Sequence, residues 1–141
     1  MPADPPRDQN GKIVPHDHAE ILNDHHVIRH TTPHDLCDDE TGTKKRLSSG
    51  AFSESSDGGM SVDIEEWMLA DGLDQLQYVT ELGHGAVRLR VGDLRATALL
   101  VGWDPDGGHP YHGAVWGIRT PKKRKRILGL SVTLKKAGGE G

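Results

Sequence analysis

VRLRVGDLRATALLVGWDPDGGHPYHGAVWGI, residues 87–118, is the stretch whose reading decides the fold. Val87, Leu89 and Val91 alternate with Arg88 and Arg90, the period-two pattern of a strand with one buried face. Gly92-Asp93 follows, and glycine at the first central position suits a two-residue type II′ turn. Leu94 to Trp103 then reads as a long apolar partner strand, closed by Asp104-Pro105. The expectation is a β-hairpin over 87–103, then a loop, DPDGGHPYH, and a short strand at Ala114-Val115-Trp116.

Upstream, Val27-Ile28-Arg29-His30 predicts a first strand, stopped by Thr31-Thr32-Pro33. Met60 to Ile64 predicts a strand running into a helix, with Asp63 as its cap and Glu66 three residues on, as in a capping box. Ile64, Trp67 and Met68 fall on one helical face, and Gly72 supplies a stop. Phe52, the sole phenylalanine, is a candidate core anchor. Downstream, Thr120-Pro121 reads as an N-cap followed by proline in the first turn, predicting a helix over 121–128. Leu128, Leu130, Val132 and Leu134 alternate as a strand would, so helix and strand stay open for 127–134. The predicted fold class is α+β: a small antiparallel sheet centred on the 87–103 hairpin, with two or three short helices.

The bulk numbers bound this picture. A chain of 141 residues suits one domain, and 34% hydrophobic with 4% aromatic residues leaves only the apolar-periodic segments to build a core. The expected organisation is a flexible, acidic, proline-rich segment at 1–23, a single α+β domain at 24–136 and a flexible tail at 137–141. Cys37 is the only cysteine, so an internal disulfide is excluded and a reducing compartment fits. MPADPPRDQNGK lacks the apolar run of a signal peptide, and no stretch approaches the roughly 20 apolar residues of a membrane span. A cytoplasmic protein without membrane contact is expected.

Three groups of residues could carry chemistry. The first is metal binding: of nine histidines, His16, His18, His25, His26, His109 and His112, with Cys37, offer ligand types suited to zinc. No established ligand spacing is present, so no metal residues are assigned and no cofactor is implied. The second is a polar pocket. Arg29 could hold a phosphate or carboxylate bidentately, beside His30, and His112 or His109 could act as acid or base near neutral pH. Ser48 and Ser49 could orient a ligand, with Ser49 as a nucleophile if a base lies in reach. The bland alternative is that such residues merely cap strand ends and turns. The third is the basic run Arg119, Lys122, Lys123, Arg124, Lys125 and Arg126, which could contact nucleic acid through counterion release, or could simply be solvated. Its lack of aromatic residues argues against base stacking. Net charge is −4, with the acids crowded toward the N-terminal half, so the two ends could also pair with one another or with a protein partner.

HHVIRHTTP, RLSSGAF, MSV and VGWDPDGGHPYHGAVWG together resemble a loose family of small bacterial proteins that share an Arg, a Ser-x-Ala-Phe segment, a Ser-Val strand and a Pro-x-His loop. The resemblance covers about residues 25–118 and carries no known activity. It singles out Arg29, Ser49, Phe52, Ser61 and His112. The Arg-then-Ser order is similar to that of ADP-ribosyltransferase-like toxins, but the Arg29–Ser48 gap is short and a suitable Glu is missing.

The leading expectation is recognition or processing of a phosphate-bearing ligand, a nucleotide or nucleic acid. A non-catalytic protein that docks on a partner subunit, and a histidine-rich metal binder, are the rivals.

Overall fold

The computed structural model describes residues 2–42, 45–55 and 58–138. In chain order its elements are β1 (His26–Thr31), β2 (Leu36–Asp38), β3 (Lys45–Leu47), β4 (Met60–Ile64), α1 (Glu65–Ala70), β5 (Gly85–Arg90), α2 (Val91–Ala96), β6 (Leu100–Trp103), β7 (His112–Trp116), α3 (Pro121–Leu130) and β8 (Val132–Lys135). Six strands form one sheet in the order β6-β7-β4-β1-β5-β8, with antiparallel neighbours throughout, and β2 and β3 make a separate antiparallel pair. The fold is α+β, as expected.

Register sorts the side chains onto two faces, because residues directly opposite one another in an antiparallel pair point the same way. Val27 pairs with Ile64 and Leu89, and Val101 with Val115. These residues, with Val62 and Val87, form the apolar face. It is covered by Ala51 and Phe52 of the short turn Ser49–Phe52, by Val91 and Leu94 of α2, and by Ile127 of α3. Fully burying each such side chain contributes about 1.5–3 kcal/mol. The opposite face carries Ile28, Asp63 and His112 in a row across β1, β4 and β7, with His30, Ser61 and Arg88 beside them.

The 87–103 hairpin does not form. Val87 and Leu89 are buried and Arg88 is on the polar face, as the alternation predicts, but β5 pairs with β1 and β8 rather than with β6. Residues 91–96 are helical, and Gly92 does not adopt the positive φ that a type II′ turn requires. Val91 and Leu94, one helical turn apart, are both fully buried, so their burial favours a helix over a turn. Gly92 meets another need: a Cβ there would lie 3.0 Å from the Asn23 carbonyl, and its N–H donates to that same oxygen. The apolar stretch after it is correspondingly broken, with only Leu100–Trp103 extended.

Other signals hold. Gly72, at φ 79°, closes α1 in a Schellman arrangement, with Leu73 N–H donating to Met68 C=O and Gly72 N–H to Leu69 C=O. Thr120 caps α3 by accepting from Lys123 N–H, and Pro121 occupies the first turn. Both readings of 127–134 are realised in succession, since the helix ends at Leu130 and β8 starts at Val132. Asp63 does not cap α1: Ile64 is the N-cap and offers no side-chain bond.

The N-terminal segment makes contacts its composition did not predict. His18 N–H donates to Val101 C=O, while Asp17 Oδ1 accepts from Val101 N–H and His16 Nε2 from Trp103 N–H. These groups satisfy the outer edge of β6, and Ile21 enters the apolar core. At the other end Ala137 is buried, and residues 139–141 of the expected tail lie outside the described residues. No helix among the described residues is long and apolar enough to cross a membrane.

Candidate functional site

The polar face is built around one carboxylate. Asp63 sits mid-strand in β4, between apolar Val62 and Ile64, so alternation turns it away from the core toward His30 and His112. It is only 3% exposed and contacts two rings: His30 Nε2 at 2.7 Å on Oδ2 and His109 Nε2 at 3.0 Å on Oδ1. A buried carboxylate is tolerated only with such partners.

Local bonding fixes the proton on each ring. His109 Nδ1 accepts from Tyr111 N–H at 3.2 Å, so its Nε2 carries the hydrogen given to Asp63. Burial lowers its pKa, opposed by Asp63 and reinforced by His112 and His30, and the neutral ring stacks on Tyr78 with centroids 3.6 Å apart. Both nitrogens of His109 are therefore occupied. His112 lies 2.9 Å from the Asp104 carbonyl through Nδ1, which must donate there, and its Nε2 has no partner among the described residues. His30 shows the same half-occupied state in reverse, with Nε2 on Asp63 and Nδ1 without a partner among the described residues.

Arg29 lies on the apolar side of β1, opposite Val87. Register pairing between β1 and β4 stops after Ile28↔Asp63, and there the guanidinium enters, donating from Nη1 to Ser61 C=O and from Nε to Ala51 C=O, both at 2.9 Å. Burial lowers its pKa, with Asp35 partly offsetting, yet a guanidinium stays charged. No carboxylate bonds to it among the described residues.

Arg29, His30, Asp63, His109 and His112 line one hollow of about 370 Å³, together with Ser61 and Tyr78. The sheet thus gathers four of the six residues that the sequence singled out for a pocket. Ser48 and Ser49 are not in its lining. Ser48 caps the Ser49–Phe52 turn by accepting from Gly50 N–H, and that turn faces the core through Ala51 and Phe52. Sequence reasoning missed Asp63 and Tyr78. The strict alternation of Met60, Val62 and Ile64 was the available signal for Asp63.

Lys122 to Arg126 of the basic run occupy α3, with Arg119 just before its cap, and α3 packs on the apolar side through Ile127, on the far side of the sheet from the hollow. Lys123 donates to Gly117 C=O and Arg126 to Thr97 Oγ1. Arg119, Lys122, Arg124 and Lys125 pair with no acid among the described residues.

Of the histidines considered for a metal, His16 and His18 are otherwise engaged. His16 uses Nδ1 on Val14 C=O and Nε2 on Trp103 N–H, while His18 uses Nε2 on Ala3 C=O and Nδ1 on Glu20 N–H. Neither ring keeps a lone pair. Among the described residues, His26, Glu65 and Glu66 bring three ligand atoms within 4.8 Å of one another. A cation already sits there: Arg88 donates twice to Glu65 at 3.0 Å, and its Nη2 lies 3.1 Å from His26 Nδ1. This is an ion-pair network whose positive charge the protein supplies itself.

No protein family, curated protein or solved structure matches the chain.

Proposed function

We propose that the hollow binds a phosphate-bearing ligand, a nucleotide or the end of a nucleic acid, and that its two half-occupied imidazoles move protons at the phosphate. One observation carries this reading. His30 and His112 are each anchored through one nitrogen, while the other has no partner among the described residues, and both residues line the same hollow. A pair of imidazoles, one neutral and one protonated, can remove a proton from an attacking hydroxyl and return one to a leaving oxygen. Asp63 holds the His30 ring by accepting from its Nε2–H, the role an orienting carboxylate plays beside a general base. Arg29 has N–H groups left after its two carbonyl bonds and no acid of its own, so it serves as the anion anchor. His109, with both nitrogens in use, positions Asp63 rather than reacting.

The test is binding and turnover with the intact chain. Inorganic phosphate and nucleoside monophosphates should shift the ring resonances of His30 and His112 in NMR titrations. A phosphate-ester panel should give a bell-shaped pH profile. His30→Ala and His112→Ala should each lower turnover by about 10²–10⁴-fold while remaining folded. A wild-type protein whose His30 and His112 signals ignore every phosphate ligand would end the proposal.

The second reading, docking on a partner protein, is favoured by the outer edge of β8, which no strand among the described residues covers and where Val132 is 58% exposed beside basic α3. An acidic strand added to that edge would suit both features. Thr133→Pro should abolish such pairing without touching the hollow, and unchanged partner capture would dismiss it.

A further inference from the structure

A second hollow, of about 620 Å³, adjoins the first and shares Ser61, Gly107 and His112 with it. Its floor is the β7 end of the polar face, Ala114 and Trp116, beside Gly58 and Gly59. Residues 8 and 12–15 of the N-terminal segment line its other side. That segment doubles back through an Arg7–Ile13 bridge and is tied across by Arg7, whose Nη1 donates to Asp106 Oδ2 at 2.6 Å.

Trp116 is the unusual residue here. The residue as a whole is only 8% exposed, yet its Nε1–H has no protein acceptor among the described residues and the atom itself is open to solvent, Glu54 Oε1 being the one side-chain N or O among those residues that is both buried and unpartnered. By contrast the buried indole of Trp103 donates to Pro110 C=O at 2.8 Å. An indole N–H that faces open space donates to water, or to a ligand group that displaces the water. Glycine keeps this one open: a Cβ at Gly59 would lie 3.0 Å from Trp116 Nε1 and one at Gly58 would lie 4.0 Å from it. One face of the ring is taken by His16, at 5.2 Å between centroids, so the indole offers the hollow its donor edge.

Charge narrows the occupant. Asp8, Asp104 and Asp106 line this second hollow, with Lys12 and, at the junction, His112 as the basic side chains among its lining residues. Such a lining repels a second phosphate and accepts hydrogens from hydroxyl or amino groups, which disfavours a polyanionic strand running through it. His112 stands at the junction, so whatever lies here is attached to whatever lies against Arg29 and His30.

We infer that the two hollows form one bipartite site for a nucleoside monophosphate, with the phosphate at Arg29, His30 and His112 and the base accepting a hydrogen bond from Trp116 Nε1. This deepens the phosphate-ligand reading and rests on it. The indole N–H can only donate, so the base presents a ring nitrogen or carbonyl, and the neighbouring carboxylates take the ribose hydroxyls.

The experiment is a set of NMR and calorimetric titrations of the full chain with inorganic phosphate, ribose 5-phosphate, adenosine and adenosine 5′-monophosphate, following the Trp116 indole N–H and the His30 and His112 rings. Trp116→Phe assigns the indole signal and removes the donor while keeping a ring. The monophosphate should shift both sets of signals and bind at least about 10-fold tighter than inorganic phosphate, and Trp116→Phe should weaken it about 5-fold while leaving inorganic phosphate unaffected, the worth of one hydrogen bond. Gly59→Ser, which intrudes on the indole edge, should act in the same direction if it folds. If phosphate moves the histidines but the monophosphate leaves the indole unmoved and binds no tighter, the bipartite site is wrong and the phosphate reading survives. Equal binding of ribose 5-phosphate with a silent indole overturns the base subsite in favour of a sugar phosphate. If no ligand moves either set, both readings fall together.

Discussion

The two faces of the central sheet are built from the same strands, yet they answer to different physics. On one, Val27, Val62, Ile64, Leu89 and Val115 interlock with Phe52, Leu94 and Ile127, and nearly every one is fully buried. On the other, Ile28 sits among His30, Asp63, Arg88 and His112, with Leu100 and Trp116 at the β6–β7 end. The first face is held by area removed from water, which is non-directional and forgiving of swaps that conserve volume. The second is held by bonds to a few charged atoms, where a missing partner leaves a buried polar group unsatisfied. Stability should therefore track the apolar face and ligand chemistry the polar one.

The largest effect expected is on the apolar side. Phe52→Ala empties a site with no exposure and should cost about 3–5 kcal/mol in denaturant unfolding, with ligand binding by the folded fraction unchanged. Loss of binding at conditions where the variant is still folded would show that the faces are not separable. Asp63→Asn tests the reverse. The amide oxygen can take one ring N–H and its NH₂ opposes the other, leaving a ring nitrogen without an acceptor, so a cost of about 1–3 kcal/mol is expected. Its effect on phosphate binding and turnover should exceed that of Phe52→Ala, because His30 loses the group that aims it. Equal turnover in the variant and the wild type would remove Asp63 from the site.

This contrast also explains what could be read in the chain and what could not. The apolar face is written locally: alternation in residues 85–90 and 60–64 marks both strands, and Thr120-Pro121 and Gly72 mark helix ends with caps that the structure contains. The hairpin failed because Gly-Asp is ambiguous on its own. The deciding facts are the burial of Val91 and Leu94 and the approach of Asn23 to Gly92, and both are tertiary. The site was legible in residue type but not in geometry. Arg29, His30, His109 and His112 stood out as chemistry-bearing residues at a strand end and a loop. The carboxylate joining two of them looked like a helix cap, because Glu66 follows it at the right spacing. Ser48 and Ser49 looked like site hydroxyls because nothing local reveals that Ala51 and Phe52 turn that segment toward the core.

Two smaller effects sharpen the comparison. Asp17→Ala removes the acceptor of Val101 N–H at the β6 edge together with an ion pair to Arg95, and a loss of about 1 kcal/mol is expected without change at the hollow. A wild-type melting curve from that variant would mean the N-terminal contacts do not stabilise the sheet. The last effect is in pH dependence and concerns His109. Its folded pKa lies below the ordinary value because burial outweighs Asp63, and Tyr111 N–H already occupies the lone pair a proton would need. In the unfolded chain the same ring titrates near about 6.5. The unfolded state thus binds more protons between the two values, and stability must rise with pH there. The contribution of His109 is fully present above about pH 6.5 and is lost as pH falls toward its lowered folded value. His109→Gln removes this term, so its stability should vary less between pH 7 and pH 5 than that of the wild type, the other histidines contributing equally to both. Parallel curves would mean that His109 takes up its proton as readily folded as unfolded, and the fixed neutral tautomer on which the assignment of His30 and His112 as the working pair depends would be lost.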